Sequence, residues 1–116
     1  MDTATAHKRL EEIREELDRS IRVLRGEQAP DEWASDYPQD PADAGANLSE
    51  SERTEAVLAV AKLQRTQVLD ALNRIELGTY GTCVDCGGGV PEGRLEARPE
   101  AARCVNCQAK RDRLRR

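Results

Sequence analysis

Phenylalanine is absent from the chain, and the other aromatics amount to Trp33, Tyr37 and Tyr80. A conventional globular core of 116 residues carries more bulky aromatic volume. Its lack predicts a helical body with a narrow apolar seam, plus a small module stabilised by something other than core volume. No run of ~18 apolar residues occurs, so no segment is expected to span a membrane. The opening MDTATAHKRLEE has no apolar stretch of the secretory type, which predicts a cytoplasmic protein. His7 is the single histidine, lies far in sequence from any cysteine, and reads as an exposed surface residue. With no Ser/His/Asp set and no Gly-rich loop that opens a helix, the sequence argues against an enzyme.

What is present is charge, and it is unevenly spread. Between residues 27 and 55, Glu27, Asp31, Glu32, Asp36, Asp40, Asp43, Glu50, Glu52 and Glu55 face one base, Arg53. The C-terminal stretch reverses this with Lys110, Arg111, Arg113, Arg115 and Arg116. An acidic centre and a basic tail point to different partners for different parts of the molecule.

Leu10, Ile13, Leu17, Ile21 and Leu24 recur at spacings of three and four, predicting a helix over about 5–25 that stops at Gly26. Residues 27–48 lack a period and are punctuated by Pro30, Pro38, Pro41 and Gly45, as in a connection. A second helix is expected from Ser49, the N-cap of a capping box closed by Glu52, to Leu77, with Gly78 as its stop. Its stripe reads Val57, Ala61, Gln64, Val68, Ala71 and Ile75, flanked by Leu58 and Leu72. Two such helices pair as an antiparallel hairpin. The fold class is therefore mainly α: a long coiled-coil hairpin over 1–78 with an acidic tip loop at about 27–48, then a small zinc-finger module with a short basic C-terminal helix over 79–116.

The cysteines carry the chemistry. All four fall into two pairs, Cys83-Val84-Asp85-Cys86 and Cys104-Val105-Asn106-Cys107. Zinc takes four soft ligands tetrahedrally, and each Cys-x-x-Cys turn supplies one edge of that tetrahedron. Gly87, Gly88 and Gly89 follow the first pair, where the chain must curl and turn backbone N–H groups toward thiolate. Paired cysteines in a reducing compartment are more often metal ligands than disulfides. Four protein ligands leave no place for water, so the one Zn²⁺ is structural. Arg94, Arg98 and Arg103 either moderate the negative field of the thiolates or form a solvated face.

Gly78-Thr79-Tyr80-Gly81-Thr82-Cys83-Val84-Asp85-Cys86-Gly87, then Arg94-Leu95-Glu96-Ala97-Arg98-Pro99, then Cys104-Val105-Asn106-Cys107 together resemble the DksA/TraR family of bacterial transcription factors. The resemblance is dense from about Leu72 to Lys110. It implies a protein that binds RNA polymerase and not specific DNA sites, as a monomer. In that family a coiled-coil arm enters the secondary channel and carries two acidic residues to the catalytic centre. Asp40-Pro41-Ala42-Asp43-Ala44-Gly45 is similar to the family's tip motif, which implies this role for Asp40 and Asp43; composition alone makes them linker residues. Gly45 stands where the family has Ala, and Ala56–Ala61 is apolar where nucleotide-responsive members carry bases. The N-terminal extension of longer members is missing, which implies a smaller base. Trp33 and Tyr37 lie in the tip segment, either as anchors for a partner or folding the tip on itself. Two other functions fit the residues: a nucleic-acid-binding zinc module using the basic tail, and a zinc–thiolate redox sensor.

Overall fold

The computed structural model describes residues 2–26 and 44–115, with 44–48 as backbone alone. Four helices follow in chain order: α1 Thr3–Leu24, α2 Ala44–Leu77, α3 Glu92–Ala97 and α4 Val105–Leu114. Among the described residues there is no strand, and Thr82 and Gly89 form an isolated antiparallel bridge.

α1 begins earlier than its apolar stripe, because Asp2 caps it. The Asp2 Oδ1 accepts from the Thr5 backbone N–H at 2.7 Å, which satisfies one of the donors a helix start leaves open. Its far end closes at Gly26 (φ 75°), whose N–H donates to the Val23 carbonyl. α2 ends in the same way and more completely. Gly78 (φ 75°) donates to Ile75 and Thr79 donates to Arg74, the two-bond Schellman closure. The start of α2 differs from expectation. Ser49 and Glu52 lie inside the helix, which is already under way at Ala44, so Ser49 is not its N-cap.

The chain forms two compact units, one of residues 1–14 with 66–116 and one of residues 15–65. In the first, Ala6 and Leu10 of α1 and Val68 and Ala71 of α2 are buried. In the second, Ile21 and Ala61 are buried and Arg65 of α2 pairs with Asp18 of α1. Early α1 residues group with late α2 residues in the first unit and late α1 residues with earlier α2 residues in the second, the pairing of an antiparallel hairpin.

The seam on α2 keeps most of the predicted stripe, with Ala61, Val68, Ala71 and Ile75 and the flanking Leu58 and Leu72 buried or half-buried, and departs from it at Val57 and Gln64. Leu58, Ala61, Arg65, Val68, Leu72 and Ile75 are buried or half-buried, alternating by three and four as in a heptad seam. Val57 and Gln64, placed in the stripe by sequence, are exposed, Val57 by 49%. Val60 and Leu63 are also more than half exposed. The helix carries apolar residues on several faces, so its sequence specifies the phase of the seam poorly. Arg65 occupies a seam position, and there its ion pair with Asp18 favours one register over its neighbours.

Candidate metal centre

Gly81 and Val90 close a short loop by a Val90 N–H to Gly81 carbonyl bond of 2.8 Å, and inside it the first knuckle turns tightly. Gly87, at φ 76°, donates its N–H to the Cys83 carbonyl, and Cys83 donates to the Gly88 carbonyl. The Gly88 N–H points at the Cys86 Sγ, 3.4 Å away. The glycine run therefore does what a thiolate turn requires: it bends without steric cost and aims a donor at sulfur. The second knuckle opens α4. Cys104 is its N-cap in extended conformation, and its carbonyl accepts from Gln108. A backbone bond joins the knuckles directly, Val84 N–H to the Ala102 carbonyl at 3.0 Å.

These turns bring the Sγ atoms of Cys83, Cys86, Cys104 and Cys107 within 4.8 Å of one another. Cys86 and Cys104 sulfurs stand 3.9 Å apart, near the edge of about 3.8 Å that four Zn–S bonds of ~2.3 Å imply. Cys83 is buried with Val90 and Leu95, and Tyr80, Ala101, Cys104 and Cys107 pack on that cluster. Without a cation Cys83 and Cys107 titrate far apart. Backbone N–H groups of Cys86 and then Cys104 hold Cys83 down to about 6. Hydrogen bonds to Cys104 and then Cys83 push Cys107 up to about 12. Sulfurs this close cannot all be thiolates on their own; a divalent ion in the middle removes that repulsion. The donor set is all sulfur, tetravalent and closed, so the residues fit one structural zinc ion, which supplies cross-linking and no reactive position.

The segment between the knuckles carries a short helix of its own. Residues 92–97 form α3, started by Pro91, whose carbonyl accepts from Arg94 and Leu95. Leu95 is thereby turned into the finger core, and Pro99 is buried behind it. Arg94 and Arg103 are not a solvated face. Arg103 donates to Asp85 at 2.8 Å, tying the residue before Cys104 to the first knuckle, and Arg94 donates to the Arg103 carbonyl at 2.9 Å. Arg98 is exposed. Side chains of α1, α2 and the finger's own start reach the same segment. Arg9 donates to the Glu96 carbonyl at 2.8 Å, Tyr80 to the Pro99 carbonyl at 2.9 Å, and Arg74 to the Glu100 carbonyl at 3.4 Å. Burial raises the Tyr80 pKa, consistent with its hydroxyl serving as a proton donor there.

The four cysteines singled out by the sequence are the ones the fold brings together. Sequence reasoning missed Arg9, Arg74 and Tyr80, because an arginine or tyrosine aimed at a distant carbonyl leaves no local signature. Asp40 and Asp43, with Trp33 and Tyr37, lie outside the described residues. Lys110, Arg111, Arg113 and Arg115 are exposed on or just after α4, and His7 is exposed on α1.

Residues 78–113 match the prokaryotic DksA/TraR C4-type zinc finger. The chain belongs to the DksA/TraR family. Its DksA/TraR finger comprises both knuckles, α3 and most of α4. The RNA polymerase-binding transcription factor DksA of Escherichia coli is 29% identical over 102 residues, 84% of this chain. This DksA/TraR chain spans 60% of that relative's length. An uncharacterised protein of Aquifex aeolicus is 33% identical over 100 residues, covering 86% of this chain and 68% of its own. Among solved structures, transcription factor DksA2 from Pseudomonas aeruginosa superposes with a TM-score of 0.75 over 97% of this chain and 84% of that one. At 24% identity, that match speaks for the fold alone. No described helix is long and apolar enough to cross a membrane.

Proposed function

We propose that this protein is a transcription regulator that binds RNA polymerase and is not an enzyme. The observation that carries the reading is the family's C4 finger, with Arg94-Leu95-Glu96-Ala97 in α3, Leu95 packed on Cys83 and Arg98-Pro99 following directly, in a chain whose relatives include polymerase-binding DksA. The antiparallel pair α1–α2 supplies the coiled-coil arm of this reading, which enters the polymerase secondary channel. Asp40 and Asp43 are the tip carboxylates that act near the catalytic centre, where Mg²⁺ favours oxygen ligands. Trp33 and Tyr37 are anchors beside them. The zinc holds the base of the arm. Binding is to polymerase as a monomer in the cytoplasm, without specific DNA recognition.

The test is a pull-down with purified core polymerase, followed by run-off transcription with Asp40→Asn/Asp43→Asn. Retention on polymerase with loss of the transcriptional effect in the double variant is the expected result. No retention, or a double variant that acts like the unmodified protein, overturns the reading.

A further inference from the structure

The stretch 96–103 is gripped from two sides. On one side it belongs to the metal site: Ala102 accepts from Val84, Arg103 bonds Asp85, and Cys104 follows at once. On the other, two guanidinium groups from the long helices take its carbonyls, Arg9 of α1 at Glu96 and Arg74 of α2 at Glu100. Glu96 is 87 residues from Arg9, so no local preference accounts for that bond. Arg74 is half-buried, and desolvation lowers its pKa, so its carbonyl bond replaces water that the site excludes.

We infer that Arg9 and Arg74 are positioning residues for the zinc, coupling metal retention to the pairing of α1 with the end of α2 through the carbonyls of Glu96 and Glu100. Neither side chain touches sulfur. Each restricts the segment that must move for the second knuckle to swing off the metal. The Arg9 bond, at 2.8 Å from an ionised donor, is of the stronger kind, and the Arg74 bond, at 3.4 Å, is long and weaker. Coupling of this kind is reciprocal: if the helices hold the zinc, the zinc holds the helices to the same degree. The inference is independent of polymerase binding.

The experiment uses the zinc-loaded full chain and two readouts, the rate of zinc transfer to a chromophoric chelator and the thermal midpoint with and without metal. Arg9→Ala/Arg74→Ala is expected to release zinc at least about fivefold faster, the lower end of ordinary coupling. Arg9→Ala alone gives a smaller acceleration in the same direction, and Arg9→Lys restores part of it. Arg65→Ala breaks a helix–helix ion pair in the other unit and is the control: it lowers the midpoint and leaves zinc release unchanged. Removing zinc lowers the midpoint more in the unmodified chain than in the double variant. Zinc release unchanged by Arg9→Ala, or accelerated equally by Arg65→Ala, overturns the inference, as does an equal loss of midpoint on metal removal in both proteins.

Discussion

The unit of residues 1–14 and 66–116 buries Ala6, Leu10, Val68, Ala71, Cys83, Val90 and Leu95. The unit of residues 15–65 buries Ile21 and Ala61 among its described residues. The first adds a metal cage and a set of side-chain bonds to carbonyls, while the second adds the Asp18–Arg65 pair. Among the described residues, buried side chains and cross-links are thus concentrated in the first unit. The lesson is that a long helix pair need not be uniformly stable, since two buried side chains contribute only about 1.5–3 kcal/mol each at most.

Removing the metal is the harshest way to break this contrast. Structural zinc binding is worth about 10–16 kcal/mol in small finger peptides, so Cys83→Ser or Cys104→Ser should abolish tight zinc and unfold residues 79–115. Elemental analysis and heteronuclear spectra check this; a finger that keeps its dispersed resonances without zinc contradicts it. Next comes the seam. Leu10→Ala opens a fully buried site and should cost about 2–5 kcal/mol, read from denaturant unfolding. Hydrogen exchange sharpens the comparison without mutation. Amides of α2 from Thr66 to Leu77 should exchange more slowly than those from Glu50 to Arg65, and the reverse order would show that burial misjudges the two units.

A smaller effect is expected of Arg65→Ala. The pair is partly exposed, so its loss should cost no more than about 0.2–1 kcal/mol and shrink further in high salt. The smallest is the Tyr80 hydroxyl. Its pKa is raised by burial, so the neutral form is favoured in the folded protein. Its contribution is therefore complete below the ordinary tyrosine pKa of 10.0 and lost as pH rises through the higher folded value. Thermal midpoints from pH 8 upward should fall at the alkaline end, and Tyr80→Phe should remove that component of the fall.

Much of this was legible in the residues themselves. The Cys-x-x-Cys pairs and the glycines after the first specified the metal site, since ligand spacing is a local property. The stripe of α1 was legible because its other faces are charged. That of α2 was legible only in part, because Val57, Val60, Leu63 and Leu69 present apolar side chains to solvent and blur the period. Ser49 and Glu52 have the pattern of a cap but sit within a helix, where the backbone donors that a cap satisfies are already bonded. The bonds from Arg9 and Arg74 depend on chain reversal far away, and no window of sequence contains both partners.

The abrupt stop of α2 at Gly78 carries a consequence for length variation. Each residue in a helix advances the azimuth by about 100°, so one inserted between Arg74 and Gly78 would rotate Cys83 and its neighbours around the α2 axis and swing the Arg74 donor away from its acceptor. Only additions close to whole numbers of turns, such as seven or eleven residues, restore the original bearing. The helix thus works as an angular vernier, admitting changes of length in steps and refusing the single residues between them.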